Sequence, residues 1–308
     1  MDTRQIEYIL KIAEENNITH AAAKLFITQS ALNQQLIKLE NELGTPLFHR
    51  SRSNWHLTEA GAIYVQNAKE IMRLKREAYQ RIQDLSDGKH GRLSVGFTAG
   101  RGINMFTRAY AIFHQRYPNI VLEPWEGIVR NLQKRISLGE LDLCFLTLTA
   151  LDKTDDIYED IFEEELYLAI PKGHPLASLS RPASEGYATL DIQALKYEPF
   201  VLMDKSSTMR RLVDSLFSRA GITPQILFET GNTYTIISMI KANLCCGILP
   251  YYYVKDLDPS QVACFHMPDH PTWFFSACYK KGSYLSRPAR SFIDLMREQW
   301  GNLQGPDA

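Results

Sequence analysis

Two short helix-forming stretches with only two residues between them set the strictest limit on the N-terminal fold of this chain. The first stretch covers residues 19–26, with Thr19 as a suitable N-cap, and the second begins after Thr28 and stops at Gly44. Apolar residues spaced 4, 3 and 4 apart give the second helix one buried side, which consists of Leu32, Leu36, Leu39 and Leu43. Such a pair lets one helix cross a phosphate backbone while the other enters the major groove of DNA.

The outer side of the second helix carries amides and hydroxyls where a surface helix usually carries charges. Gln and Asn each present a donor and an acceptor that can pair with N6 and N7 of adenine, and Lys38 can reach a phosphate. The residues predicted to contact DNA from this helix and its cap are Thr28, Gln29, Ser30, Ala31, Asn33, Gln34 and Lys38. The alternative is an ordinary three-helix core with a polar exposed face, because helix-turn-helix look-alikes are common.

A polar turn between two short strand-like pieces follows over residues 46–57 and predicts a wing. It holds Arg50 and Arg52 with no acidic residue next to them in the sequence. Arginines in a wing lie along phosphates or reach into the minor groove. Because the net charge of the whole chain is only −1, we expect these two side chains to supply the positive patch for DNA.

A long helix without an internal proline is predicted from residue 58 to about residue 87. Apolar residues recur along it as in a heptad repeat that is broken at Lys75. The residues of this repeat are Tyr64, Ala68, Ile71, Ala78, Ile82 and Leu85. At 1.5 Å per residue the helix has a length of about 40 Å, which exceeds what a small domain can bury. We therefore expect two copies of the chain to pair along it.

The motifs of the first 61 residues are Ala21-Ala22-x-x-Leu25, Thr28-Gln29-Ser30-Ala31-Leu32, Leu39-Glu40-x-x-Leu43-Gly44-x-x-Leu47-Phe48-x-Arg50 and Leu57-Thr58-Glu59-Ala60-Gly61. In this order they resemble the N-terminal half of the LysR-type transcriptional regulators. The resemblance implies a bacterial regulator with a winged helix-turn-helix, a dimerising linker helix and an effector domain built like a periplasmic solute-binding protein. Members of the family often have proline at the position of Ser30 and serine followed by a basic residue at Asn33-Gln34. Different operator bases are therefore expected for this chain.

The remaining two-thirds of the chain alternates strand-like and helix-like segments from about Arg92, which predicts an α/β fold with a parallel sheet. The alternation repeats after a long strand at residues 161–170, and a final strand and helix return to the first repeat. The family resemblance continues more loosely through Pro199-Phe200, Arg210-Arg211-Leu212-Val213-Asp214, Arg219-Ala220-Gly221 and Gly247-Ile248-Leu249-Pro250. Two similar lobes joined by crossing strands leave a cleft between them.

Three domains are predicted from these patterns. Residues 1–58 form a mainly α winged helix-turn-helix, and residues 59–90 form the linker helix for dimerisation. Residues 91–308 form a two-lobed α/β effector domain that resembles periplasmic binding proteins. Its first lobe comprises about 91–164 with 269–302, and its second lobe comprises about 165–268.

Polar strand-to-helix turns predict an effector site between the lobes, because ligands lie where helix N-termini point N–H groups at the carboxyl ends of strands. The residues predicted to bind the effector are Thr98, Ala99, Gly100, Arg101, Thr147, Thr149, Met203, Ser206, Ser207, Asn232 and Thr233. Hydroxyls, a glycine backbone and the cations Arg101 and Lys205 suit a small anion such as a carboxylate or phosphate. Ser, Thr and Asn are also ordinary N-caps, so each single turn has a structural alternative.

Composition and cysteine usage argue against several other classes. The chain has no signal-like start and no apolar run of eighteen residues, so a cytoplasmic protein without membrane contact is expected. Its five cysteines lack metal-type spacing, so we expect no disulfide framework, zinc site or other cofactor. Cys245 and Cys246 lie in an apolar run without a neighbouring histidine, and residues 199–219 hold no cysteine for redox sensing.

The leading hypothesis is therefore a DNA-binding transcriptional regulator rather than an enzyme. Its expected partners are double-stranded DNA, a small effector for which an anion is the first candidate, and further copies of itself in a dimer or tetramer. The rival is a cytoplasmic solute-binding or enzymatic two-lobed protein with an appended helical oligomerisation domain. Retention on heparin or operator DNA that falls as salt rises distinguishes the two.

Overall fold

Three short helices around one apolar core begin the chain. The computed structural model describes residues 2–51, 55–86, 90–181 and 183–302. The helices are α1 (Thr3–Glu15), α2 (Ile18–Lys24) and α3 (Gln29–Leu43). The prediction that Thr19 caps the first helix of the pair is wrong. Asn17 is the N-cap of α2, since its side-chain oxygen accepts hydrogen bonds from the backbone N–H groups of Thr19 and His20.

The cap and the leucines of α3 fix which side of this helix faces outward. Thr28 is the N-cap, as predicted, and its hydroxyl accepts a hydrogen bond from a backbone N–H three residues later at 3.2 Å. Leu32, Leu36 and Leu39 are buried in the shared core. The fourth predicted residue of the stripe, Leu43, ends the helix and is 44% exposed.

A short hairpin leads into a long helix. The elements are β1 (Phe48–His49), β2 (His56–Leu57) and α4 (Glu59–Ser86), and β1 and β2 are antiparallel. Thr58 holds the junction, because its hydroxyl donates to the carbonyl oxygen of Pro46 at 2.7 Å and accepts from the N–H of Gly61 at 2.9 Å. Glycine is required at position 61, since a Cβ atom there would lie 2.0 Å from the carbonyl oxygen of Leu47.

The chain divides into two units, which are Met1–Ser86 with Leu138–Glu140 and Asp87–Ser137 with Leu141–Ala308. In chain order the elements of the second unit are β3 (His90–Thr98), α5 (Arg101–Arg116), β4 (Asn119–Gly127), α6 (Val129–Ser137), β5 (Leu143–Leu148), β6 (Ile157–Pro171), β7 (Pro199–Met203), α7 (Thr208–Arg219), β8 (Gln225–Thr230), α8 (Thr233–Lys241), β9 (Gly247–Pro250), α9 (Tyr251–Val254), β10 (Val262–Phe265), β11 (Thr272–Tyr279) and α10 (Arg287–Trp300).

The main sheet of the second unit is mixed. Within the described residues its strand order is β10-β6-β11-β5-β3-β4, and β9 also pairs with β6. β3 runs parallel to β4 and β5, as the α/β alternation predicts. The expectation of a parallel sheet is corrected, because the chain returns through β11, which runs antiparallel to β5 and β6. β7 and β8 form a separate parallel pair.

The crossing strand β6 belongs to two lobes. Its residues 157–165 pair with β11, whereas its residues 166–171 pair with β9 and β10. Each lobe has an apolar core of its own; Phe97, Phe145 and Phe292 lie in one, and Phe200, Phe217 and Phe265 lie in the other. The two-lobed α/β architecture is thereby confirmed. The lobes touch where the hydroxyl of Thr208 donates to the carbonyl oxygen of Thr147 at 2.8 Å.

Candidate DNA-binding face and effector cleft

The polar side of α3 is accessible along its first three turns. The predicted DNA-contacting residues lie on it, with Thr28, Gln29, Ser30, Ala31, Gln34 and Lys38 exposed and Asn33 half-buried. Two contacts orient side chains at the start of the helix. Oε1 of Gln29 accepts a hydrogen bond from the hydroxyl of Thr19 at 3.2 Å, and the hydroxyls of Thr28 and Ser30 are 3.1 Å apart. These residues therefore present one continuous row of hydrogen-bonding groups.

Arg50 is paired with an acidic residue of its own unit. It forms an ion pair with Glu40, and its guanidinium lies 5.7 Å from the ring centroid of Trp55. Glu40 is buried and also accepts a hydrogen bond from the backbone N–H of Leu47 at 2.8 Å. The expectation that Arg50 carries an uncompensated charge is therefore corrected, because Glu40 is distant in sequence but adjacent in space. The other wing residue, Arg52, lies outside the described residues.

The apolar stripe of α4 matches the predicted repeat only in its C-terminal part. Tyr64 and Ala68 are buried in the core of the first unit, so these two residues face inward. The exposed apolar residues of α4 are Ala62, Ile63, Ile71, Leu74, Ala78, Tyr79, Ile82 and Leu85. Leu74 was not predicted, although it lies beside Lys75, where the predicted repeat is interrupted. It makes the stripe continuous from residue 71 to residue 85.

A cleft of about 130 Å³ lies in the second unit where four helices begin. The helices α5, α6, α7 and α8 line it through their first residues, which are Arg101, Val129, Thr208 and Thr233. The predicted effector-binding residues found in the lining are Thr98, Ala99, Arg101, Thr147, Met203, Ser206, Ser207 and Thr233. Separate strand-to-helix turns thus converge on one concave site, as expected at the carboxyl ends of strands.

Three predicted effector residues do not line the cleft and instead shape the chain locally. Asn232 caps α8 by accepting a hydrogen bond from the N–H of Tyr234 at 3.0 Å. The hydroxyl of Thr149 donates to the carboxylate of Asp152 at 2.8 Å in a capping box. Gly100 precedes α5 with a φ of +69°, which glycine adopts without steric cost. For these positions the alternative of a purely structural role is the better interpretation.

The cleft also contains residues that the sequence did not reveal. A fourth strand-to-helix turn contributes Gly127, Ile128 and Val129, and it was missed because it is apolar rather than rich in hydroxyls. The remaining unpredicted lining residues are Asp204, Thr208, Met209, Gly231, Pro250, Tyr253 and Trp273. Several of these are next to predicted residues in the sequence. They would have been identified if the neighbours of each predicted turn residue had been included. Tyr253 and Trp273 belong to α9 and β11, which carry no local signal of a site.

Arg101 is buried and its charge is balanced inside the protein. It is 6% exposed, forms an ion pair with Glu164 of β6, and donates a hydrogen bond to the hydroxyl of Thr147 at 2.7 Å. Glu164 is 1% exposed and also accepts hydrogen bonds from Nε1 of Trp273 at 2.9 Å and from the backbone N–H of Tyr252 at 2.5 Å. The expectation that Arg101 offers a free cation to an anionic effector is therefore corrected.

The charges that face the cleft differ from those expected. Arg101 and Asp204 are the charged residues among the described residues of the lining. Lys205, the second expected cation, is exposed and does not line the cleft. The carboxylate of Asp204 accepts two hydrogen bonds from Ser206, one from its hydroxyl and one from the backbone N–H of Ser206 at 2.9 Å. The Ser207 side chain makes no capping hydrogen bond at the start of α7, so its hydroxyl is available to a ligand.

The adjacent cysteines are buried, which bears on the enzymatic alternative. Burial raises the pKa of Cys245 to about 11 and the pKa of Cys246 to about 12. The nucleophilic thiolate is therefore scarce at neutral pH, which supports a packing role for both side chains. In the described part of the chain, no helix is both long enough and apolar enough to cross a lipid bilayer.

Both units match known protein families. Residues 3–62 match the family described as "Bacterial regulatory helix-turn-helix protein, lysR family". Residues 86–301 match the family described as "LysR substrate binding domain". The chain therefore belongs to the LysR family of transcriptional regulators, which combine a DNA-binding domain with an effector-binding domain.

Individual relatives support this assignment over nearly the whole chain. The HTH-type transcriptional regulator YybE of Bacillus subtilis is 31% identical over 297 residues, which are 95% of this chain and 97% of that protein. BsdA of the same organism is 28% identical and covers 96% of this chain and 100% of its own. These relatives are named as transcriptional regulators, which favours a regulatory over an enzymatic role.

Solved structures show the same fold. A full-length OxyR variant from Pseudomonas aeruginosa, in which one cysteine is replaced by aspartate, superimposes with a TM-score of 0.70 at 22% identity and covers 97% of each chain. Full-length CbnR complexed with its target DNA superimposes with a TM-score of 0.60 at 22% identity and covers 97% of this chain and 99% of its own.

Replacing Glu164 by glutamine is expected to destabilise the second unit by about 3–5 kcal/mol, because Arg101 then keeps a buried charge without its partner. The neighbouring Glu163 is exposed and provides a matched control. Glu163→Gln should change the free energy of unfolding by less than about 0.5 kcal/mol. Urea unfolding followed by tryptophan fluorescence measures both effects, and equally small losses in the two variants would contradict a mutually dependent buried pair.

Proposed function

We propose that this LysR-family regulator reads the bases of its operator with the amide-rich first turns of α3. The row of exposed amides and hydroxyls that starts at the Thr28 cap is the observation that carries this proposal. The buried leucines on the other side of the helix prevent it from rotating, so Gln29 and Gln34 stay at the surface. A glutamine amide can donate to N7 and accept from N6 of adenine in the major groove.

Gln34→Ala is expected to lower the affinity for a selected operator by roughly 1–3 kcal/mol and to leave binding to random DNA nearly unchanged, because only a base contact is lost. The operator is first selected from random duplexes with the wild-type protein. Lys38→Ala serves as the comparison and should weaken binding to all sequences and reduce the salt slope by about 1. Gel-shift titrations on both DNAs decide, and equal losses on both for Gln34→Ala would refute base reading by this residue.

We further propose that two copies pair along the stripe of α4 formed by Ile71, Leu74, Ala78, Ile82 and Leu85. The five residues follow spacings of 3, 4, 4 and 3, which place them on one side of the helix. Ile82 and Leu85 are 60% and 85% exposed, so the single chain leaves them in water. Pairing removes this apolar surface from solvent and brings two recognition helices to two half-sites.

Ile82→Asp is expected to shift the protein toward monomer, because the seam would bury an unpaired charge. Gln66→Asp is the matched control, since Gln66 is exposed on the same helix but lies outside the stripe. Sedimentation velocity measures the oligomeric state of both variants. A dimer of wild-type strength in Ile82→Asp would place the interface on another surface.

We also propose that the cleft holds a small effector with one anionic group and one hydrogen-bond donor. The converging N-termini of α5, α6, α7 and α8 favour the anionic group, which the N–H groups and the hydroxyls of Thr98 and Ser207 can bind. Arg101 is already paired with Glu164, and the carboxylate of Asp204 favours a donor such as an ammonium or hydroxyl group. The cleft volume of about 130 Å³ limits the size, since a cavity of about 150 Å³ admits benzene.

Amino acids, hydroxy acids, simple carboxylates and amines are the probes that test this chemistry by thermal shift on the full-length protein. The first two classes are expected to raise the melting temperature more than the last two, because only they satisfy both kinds of group. For a probe that binds, Asp204→Asn should cost on the order of 1–3 kcal/mol of affinity, whereas Lys205→Ala outside the cleft should have no effect. Tight binding of a simple carboxylate that ignores Asp204→Asn would overturn the two-group requirement.

A further inference from the structure

A histidine-rich loop folds back onto the crossing strand on a part of the second unit that the effector cleft does not use. Glu165 lies on β6, His266 directly follows β10, and His270 lies two residues before β11. Nδ1 of His266 is 2.8 Å and Nδ1 of His270 is 2.9 Å from Oε1 of Glu165. One donor atom from each of the three residues lies within 4.8 Å of the others. None of the three lines the cleft.

We propose that Glu165, His266 and His270 form a binding site for a divalent transition-metal ion of the zinc class. Two imidazole nitrogens and one carboxylate oxygen are ligands that such ions prefer, and water fills the remaining position. In a tetrahedral site with bonds of 2.0–2.1 Å, neighbouring ligand atoms are roughly 3.3 Å apart. The two nitrogen-to-oxygen distances are only slightly shorter, so a small opening of the group admits the ion between them.

The surroundings hold two of the three ligands in place and leave the third accessible. His266 is 4% exposed, its ring lies 4.8 Å from that of Tyr167, and its backbone N–H donates to the carbonyl oxygen of Ala188 at 2.9 Å. Glu165 is fixed in the sheet opposite Thr272. The side chain of His270 is 58% exposed, so a hydrated ion can enter from solvent on this side. Little reorganisation of the chain is therefore required on binding.

The backbone of His270 is strained in a way that supports a role for its side chain. Its φ of +42° is positive, which is uncommon for residues other than glycine, although asparagine, aspartate and histidine are enriched there. Such a conformation is unfavourable by itself and persists where the surroundings hold it. Here it directs the imidazole to Glu165, which the hydrogen bond between the two residues shows.

The position of the site on β6 gives it a consequence for the lobes. Successive residues of a strand point to opposite faces. Glu165 therefore contacts the two histidines, while its neighbour Glu164 pairs with Arg101 beside the cleft. A bound ion ties the loop of residues 266–271 to the strand that joins the lobes. We therefore assign the site a structural or regulatory role next to the effector cleft.

Zn²⁺ and Co²⁺ are the probes that test this site on the full-length protein after treatment with a chelator. Wild type is expected to bind one equivalent of Zn²⁺ per chain by titration calorimetry, to gain visible absorption with Co²⁺, and to melt at a higher temperature with Zn²⁺. The five cysteines should not compete, since all are buried, and burial raises the pKa of Cys264, the one nearest in sequence to His266, to about 12.

His270→Asn is the main variant, because asparagine tolerates the left-handed backbone but lacks the imidazole. It should lower Zn²⁺ affinity about tenfold or more, while the melting temperature without metal stays near that of wild type. Glu165→Gln should also lower the affinity for Zn²⁺. Because glutamine keeps a hydrogen-bond acceptor at this position, the variant tests the site even if His270→Asn perturbs the loop. His114→Asn, at an exposed histidine of α5, is the matched control and should leave binding unchanged.

Two results would overturn the proposal. The first is the absence of stoichiometric Zn²⁺ or Co²⁺ binding, which would leave Glu165 as a hydrogen-bond anchor for the loop. The second is binding that survives both His270→Asn and Glu165→Gln but is lost in His49→Asn, because His49 and His56 face each other across the N-terminal hairpin.

Discussion

The buried ion pair between Arg101 and Glu164 is the interaction on which the organisation of the second unit depends. A buried charge is tolerated only when its partner and its remaining hydrogen bonds are in place. Arg101 starts α5, Glu164 lies where β6 crosses between lobes, and Trp273 on β11 donates to the same carboxylate. One charge pair therefore fixes how two strands and a helix meet at the wall of the cleft.

This constraint also decides the chemistry of the cleft. Because Glu164 neutralises Arg101, an effector does not meet the free guanidinium that the sequence suggests. The groups that remain are the hydroxyls and N–H groups at the helix starts and the carboxylate of Asp204. Asp204 is next to Lys205 in sequence, yet only the acidic residue lines the cleft. The charge that this turn presents to the cleft is therefore negative, although the sequence suggests a positive one.

Local patterns predicted several features whose partners are close in sequence. The Thr28 cap, the buried leucines of α3 and the convergence of Thr98, Ser207 and Thr233 on one cleft follow from spacings of three or four residues and from strand-to-helix turns. The same rule failed for Thr149 and Asn232, because a hydroxyl or amide at a helix start can cap the helix as readily as it can face a ligand. The same hydroxyl or amide makes the same kind of hydrogen bond whether it caps a helix or binds a ligand, so the sequence alone does not distinguish the two roles.

The amino-acid sequence was sufficient for the helix-turn-helix and the α/β alternation, because both are recorded in short-range periodicity. Most of the cleft turns were indicated by their small polar residues, and the family was indicated by the resemblance of the motifs in the first 61 residues. The folded chain was needed to show which charged side chains are paired and which apolar side chains remain exposed to solvent. Arg50 meets Glu40 and Arg101 meets Glu164 through contacts that no local pattern encodes. The histidines at 266 and 270 likewise reach Glu165 across about a hundred residues. Such pairs depend on strand register and on how elements distant in sequence pack together, which is fixed only when the whole unit folds.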